Sequence, residues 1–142
     1  MIRKIDHIGI AVKSLEDALK VYEGSFSLAL SRIENVPAHK TRVAMLPVGE
    51  SRIELLEATA ENSSVARFIA KRGEGLHHVC FQVENLSEEI RRLKAAGARL
   101  VDEEPRPGAE GRLVAFVHPS STGGVLVELA QPISPKPKPS SK

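Results

Sequence analysis

Apolar positions along the first residues alternate and then change period. Lys4 to Val12 carries Ile5, Ile8, Ile10 and Val12 and reads as a strand. Leu15, Ala18, Leu19 and Tyr22 then recur at i, i+3, i+4 and i+7, one face of a helix. Ser14-Leu15-Glu16-Asp17 has the form of a capping box, with Asp17 in the place of Glu or Gln, and Gly24 closes the helix. Ala29 to Val36, Thr41 to Pro47 and Arg52 to Glu57 read as three more strands, joined by the Pro37-Ala38-His39-Lys40 loop and the Val48 to Ser51 hairpin turn. In the last of these, alternation sets Glu54 and Leu56 on one face and Ile53, Leu55 and Glu57 on the other. Asn62-Ser63-Ser64 opens a short helix through about Arg72, with Val65, Phe68 and Ile69 apolar and Gly73 and Gly75 as its stop.

The plan then repeats. Leu76 to Val83 reads as a strand, Asn85-Leu86-Ser87-Glu88 as a second capping box, and Leu86, Ile90, Leu93 and Ala96 as a helix face that Gly97 closes. Strands are expected at Arg99 to Glu103, Leu113 to His118 and Val125 to Leu129, with a loop from Pro105 to Arg112. His7 and His78 are 71 residues apart, and the same offset relates Val12 to Val83, Leu15 to Leu86 and Leu19 to Ile90. Ile53-Glu54-Leu55 matches Val127-Glu128-Leu129 at an offset of 74, which places an insertion of about three residues in the Pro105–Arg112 loop. Each half is βαβββ, and neither covers a curved sheet alone. The expected fold is α+β: two paired βαβββ modules forming a cupped mixed sheet around a cavity. The modules span about 4–58 and 76–131, a linker helix spans about 62–73, and together they form one domain, 1–131.

Composition narrows the class. The chain has 142 residues, enough for one domain with a sizeable core, and 42% of them are hydrophobic. No apolar run is long enough to span a membrane, and no targeting segment is expected before the first strand. The single cysteine, Cys80, excludes an internal disulfide; it fits a buried small hydrophobe in a reducing, cytoplasmic setting. The net charge of +2 comes from Pro132–Lys142, a Pro/Lys/Ser stretch with Lys136, Lys138, Lys142 and no acid, which reads as a disordered tail. Without its +3 the body carries −1 (2 − 3), which argues against a nucleic-acid partner.

Candidate chemistry follows from the repeat. A lone histidine on a strand is usually structural, and a lone glutamate on a strand is usually solvated. Here the first strand of each module supplies a histidine and the last a glutamate, so His7, Glu54, His78 and Glu128 are expected to converge on the cavity. Two imidazoles and two carboxylates suit a divalent first-row ion, Co²⁺, Mn²⁺, Fe²⁺, Ni²⁺ or Zn²⁺, with open positions for a bidentate oxygen ligand. His77 is expected on the other sheet face in a structural role, and His118 in a hydrogen bond at a turn. His39 borders the cavity from its loop without an assigned role. Gly108-Ala109-Glu110-Gly111 is a segment whose backbone could approach a ligand, and Lys40, Arg42 and Arg52 either meet an anion or solvate an edge.

Paired βαβββ units with His on the first strand and Glu on the last resemble the vicinal oxygen chelate superfamily. Within it, His7-Ile8-Gly9-Ile10-Ala11-Val12, Gly73-Glu74-Gly75-Leu76-His77-His78 and Gly123-Gly124-Val125-Leu126-Val127-Glu128-Leu129 look like the methylmalonyl-CoA epimerases, in one register over about residues 4–131. The resemblance implies interconversion of (R)- and (S)-methylmalonyl-CoA through an enolate, a small CoA thioester as partner, and a homodimer. It implies a divalent metal, Co²⁺ first and Mn²⁺, Ni²⁺ or Zn²⁺ after it, on His7, Glu54, His78 and Glu128. Glu128 is then the acid–base group for one substrate face, and Glu54, a water or His39 is a candidate for the other, because Val43 stands where some members carry Glu. The competing readings are a glyoxalase-like lyase or isomerase and a metal-free small-molecule-binding module.

Overall fold

The computed structural model describes residues 1–133; the rest of the expected tail, 134–142, lies outside the described residues. Eight strands and three α-helices follow in the order β1 (Ile2–Ala11), α1 (Leu15–Leu19), β2 (Arg32–Val36), β3 (Thr41–Val48), β4 (Ser51–Ala58), α2 (Ser64–Arg72), β5 (Gly75–Val83), α3 (Leu86–Ala95), β6 (Arg106–Pro107), β7 (Leu113–Val117) and β8 (Val127–Gln131). They form one curled mixed sheet in the order β2-β3-β4-β1-β5-β8-β7-β6. β1 runs parallel to β4, and β5 parallel to β8, while the central β1–β5 pair is antiparallel. The two modules therefore meet through their first strands, and every strand expected to carry a site residue lies in the middle four. None of the described helices is long and apolar enough to cross a membrane.

Each helix starts where a side chain satisfies a free N–H: Ser14 Oγ accepts from Asp17 N (3.2 Å), Ser63 Oγ from Ala66 N (3.0 Å) and Asn85 Oδ1 from Glu88 N (3.1 Å). The alternation in β4 then sorts the core. Leu55 packs outward with Leu15, Ala44 and Leu46 under α1, whereas Leu56 packs inward with Val43, Met45 and Val65 beside α2. Burying a side chain such as Leu15 or Leu55 contributes about 1.5–3 kcal/mol each. In the second module Leu86 and Ile90 of α3 pack on Val83, Val117 and Leu129.

Two expectations are corrected. The first helix ends its regular part at Leu19 and continues through Lys20–Ser25 as a wider turn, with Phe26 N bonding Val21 O at 2.8 Å. This i→i+5 closure carries the chain past Gly24, where it was expected to stop. The strand expected at Arg99–Glu103 is reduced to a bridge at Leu100, and the paired segment is Arg106–Pro107, inside the expected loop. Asp102 explains the interruption: its Oδ2 accepts from Phe116 N at 2.8 Å, so a side chain replaces a ladder carbonyl. The two prolines flanking Arg106 are tolerated because β6 is an edge.

Candidate functional site

The central strand pair is irregular at three points, and two of them match. In β1, Ile5 pairs with Phe81 and His7 with Cys80, leaving Asp6 as an extra residue; in β5, Gly9 pairs with His78 and Ile10 with Leu76, leaving His77 as an extra residue. A β-bulge re-aims side chains at the position where it falls. Here each bulge residue bonds the ring of the histidine that follows it: Asp6 Oδ2 lies 2.7 Å from His7 Nδ1, and His77 Nδ1 lies 2.8 Å from His78 Nδ1. His77 therefore lines the same cavity as His78, and its expected place on the opposite sheet face is wrong. Strict alternation fails there because the strand carries one residue more than its partner.

The outer nitrogens converge. His7 Nε2 is 3.0 Å from His78 Nε2 and 3.0 Å from Glu128 Oε1, and His78 Nε2 is 2.9 Å from Glu128 Oε1. All three residues are buried. With Nδ1 of His7 against the Asp6 carboxylate, its Nε2 faces a carboxylate oxygen and a second imidazole. Three such atoms at contact distance need positive charge among them. Donors about 2.1 Å from a shared ion lie about 3.0 Å apart at right angles and about 3.4 Å apart at tetrahedral angles. The observed triangle fits three adjacent corners of a six-coordinate site. These residues fit a divalent cation, with positions left open for oxygen ligands.

Glu54 is buried in the same cavity wall but outside this triangle. Its Oε2 lies 3.2 Å from His7 Nδ1 and 2.7 Å from Arg52 Nε. Three of the four expected ligands thus meet, and the fourth sits behind the first histidine. Around it runs a charge network that links buried Arg112 to buried Asp6 (2.8 Å) and half-buried Arg52 to Glu110 (2.5 Å). Arg42 is instead outside it, paired with Glu57 and Glu16.

The electrostatics follow from this crowding. Burial alone would raise Asp6, but hydrogen bonds from His7 and Arg112 hold its carboxyl well below the usual range. Burial opposes charge on His7, yet the carboxylates of Glu54, Asp6 and Glu128 raise it well above an ordinary histidine. The two histidines likewise hold Glu128 well below its ordinary value against the opposing effect of burial. Burial and the neighbouring His78 push His77 down to about 4. Burial pushes the Cys80 thiol up to about 12, which agrees with its expected role as a small core residue.

The cavity is small, ≈ 50 Å³, and its wall includes Val36, His39, Val43, Val65 and Phe116 besides the acids and histidines. Beside it lies a wider groove of ≈ 780 Å³ that shares Ser64, His77 and His78 and includes Arg67, Lys71 and Arg72. The Gly108–Gly111 segment reaches over to the first module, where the backbone N–H of Glu110 donates to the Glu34 carboxylate (3.0 Å to Oε2). The backbone N–H of Glu110, in the segment expected to approach a ligand, is thus engaged by protein. His118 caps a turn by accepting from Ser120 N at 3.0 Å, as expected. Asp6 and Arg112 escaped the sequence reading. Asp6 had a usable signal, since the offset of 71 pairs it with His77; Arg112, in the expected insertion, had none.

The model of the glyoxalase/bleomycin resistance protein/dioxygenase superfamily matches residues 6–116, and the chain belongs to that superfamily. The uncharacterised protein YqjC of Bacillus subtilis is 43% identical over 91% of this chain and 92% of its own. The ethylmalonyl-CoA/methylmalonyl-CoA epimerase of Cereibacter sphaeroides is 38% identical over 92% of this chain and 99% of its own. A solved methylmalonyl-CoA epimerase, in complex with methylmalonyl-CoA and NH4+, superimposes with a TM-score of 0.91 at 33% identity, covering 94% of this chain and 97% of that one. Within the superfamily, the chain belongs with the methylmalonyl-CoA epimerases.

Proposed function

We propose that this chain interconverts (R)- and (S)-methylmalonyl-CoA by 1,1-proton transfer. The observation that carries the reading is the His7–His78–Glu128 triangle at the floor of a cavity of ≈ 50 Å³, in a chain alike over nearly its whole length to enzymes named for this reaction. A cavity of that size holds roughly three to five waters, the scale of a short acyl group. The rest of the thioester is placed in the adjoining groove, where Arg67, Lys71 and Arg72 offer charge to its phosphates.

The C2 proton of a malonyl thioester lies between two carbonyl groups. Removing it moves an electron pair toward the thioester oxygen and creates an enolate. His7, His78 and Glu128 would hold a divalent cation, with Co²⁺ favoured over Mn²⁺, Ni²⁺ and Zn²⁺, which would supply Lewis-acid stabilisation of that charge. Asp6 fixes the tautomer of His7 from behind, and Arg112 holds Asp6 in turn. Glu128 has one oxygen in the triangle and a second for proton transfer on one face of C2. Glu54 is proposed as the fourth ligand; in the present arrangement its Oε2 supports His7. Val43, Val65 and Phe116 keep water from the reacting centre. A homodimer is kept from family likeness, and a cytoplasmic setting from the free Cys80 thiol.

The test is C2 exchange. The chain is incubated in D₂O with one epimer of methylmalonyl-CoA, with Co²⁺ or after chelator treatment. Metal-dependent deuteration with loss of stereochemical purity, followed by NMR, is the expected result. No exchange with any of the named ions, together with turnover of a glutathione adduct, would move the chain to a glyoxalase-like activity.

A further inference from the structure

Inverting a carbon by 1,1-proton transfer needs a group on each face of the planar intermediate. Glu128 comes from the second module. On the first module's side, two titratable groups line the cavity, Glu54 and His39. Glu54 is pinned: Arg52 Nε holds its Oε2 at 2.7 Å, and His7 Nδ1 lies 3.2 Å from the same oxygen.

His39 is not pinned in that way. It ends the short Pro37–His39 turn, which Lys40 closes in the left-handed conformation (φ 51°), and Thr41 Oγ1 donates to the His39 carbonyl at 2.8 Å. The backbone is therefore fixed. Its ring meets Phe116 edge-on at 6.2 Å, and Phe116 meets the His78 ring edge-on at 5.8 Å. The imidazole thus sits one aromatic ring away from the metal-binding histidine. Its Nε2 is buried and has no hydrogen-bond partner among the described residues. A buried ring nitrogen left without a partner, inside a cavity that accepts a ligand, is a group held for that ligand. Burial also lowers its pKa, which keeps the ring neutral and able to accept a proton.

We infer that His39 is the second acid–base catalytic residue, acting on the face of C2 opposite Glu128. The inference rests on the epimerase reading. In one direction His39 Nε2 takes the C2 proton and the C–H electron pair enters the enolate. Glu128, entering as the carboxylic acid, returns a proton to the other face and re-forms the C–H bond. In the other direction His39 enters as imidazolium and Glu128 as carboxylate. One proton is gained and one lost by the protein in each turnover, and solvent restores both groups.

The experiment compares wild type and His39→Gln in D₂O with Co²⁺, starting from each epimer separately and following deuteration and inversion at early times. Wild type is expected to deuterate and invert both. The variant is expected to invert at least about 100-fold more slowly while still deuterating the epimer whose proton faces Glu128. His39→Asn is expected to behave alike, and a Co²⁺ titration on each sample reports whether the metal site is intact. Inversion by folded variants at the wild-type rate overturns the assignment. So does an equal loss of deuteration from both epimers. Absence of exchange in wild type is a different outcome: it removes the epimerase reading itself.

Discussion

The ring of His78 lies against the backbone of Gly9: a Cβ at that glycine would fall 2.3 Å from Cε1 and 2.5 Å from Nδ1. Gly9 does not have a positive φ, so space and not backbone conformation selects it. Gly9→Ala is expected to push the imidazole away from Glu128 and weaken Co²⁺ binding by about 10–100-fold, the usual effect of disturbing a ligand's support. A competition titration measures this directly. An unchanged affinity, with His78 still at its post, would contradict the packing argument.

Asp6 carries a prediction with a definite pH signature. Its carboxyl titrates below its unfolded value because His7 and Arg112 favour the charged form. A depressed folded pKa adds stability above the unfolded value of about 4 and loses it as pH falls through the folded value. In chelator-treated protein, Asp6→Asn should therefore cost stability at pH 7, and the gap to wild type should narrow below about pH 4. Urea unfolding at a series of pH values checks this. The same variant should bind Co²⁺ about 10–100-fold more weakly, since His7 loses its anionic partner.

The two glutamates should separate. Glu128 touches both histidines, whereas Glu54 touches His7 at the nitrogen that faces away from the triangle. Glu128→Gln is expected to abolish C2 exchange, falling by at least about 1,000-fold, and to weaken the metal site. Glu54→Gln should reduce metal affinity by less, because an amide oxygen can still accept from Arg52 Nε. Equal losses of bound Co²⁺ in the two variants would rank Glu54 with Glu128 as a ligand.

Much of this arrangement was legible in the chain, and the limits have a physical cause. The repeat exposed His7, His78 and Glu128 because equivalent positions in paired modules arrive at one axis. The same offset relates Gly9 to Cys80, and each lies across the central strand pair from the other module's histidine. What alternation could not yield was the direction of His77, because a bulge changes facing without changing composition. Nor could periodicity find the Asp102 carboxylate standing in for a strand carbonyl, or Arg112 reaching Asp6 from 106 residues away (112 − 6). Those contacts are set by the curl of the sheet and not by any local pattern.

Cys80 closes the symmetry and can be tested by size. It stands opposite His7 as Gly9 stands opposite His78, it is fully buried, and His7 and Glu128 surround its thiol. If its role is to be small, Cys80→Ala should cost about 1 kcal/mol of stability and leave Co²⁺ affinity nearly unchanged. Cys80→Leu adds bulk where the His7 ring must lie and should lose the metal site, with an overpacking cost of about 1–3 kcal/mol. Native protein should also resist alkylation at pH 8, since the thiol is both covered and far from ionised, and should react once unfolded. Rapid labelling of the folded chain, or loss of Co²⁺ binding on Cys80→Ala, would mean that the sulfur itself takes part in the site.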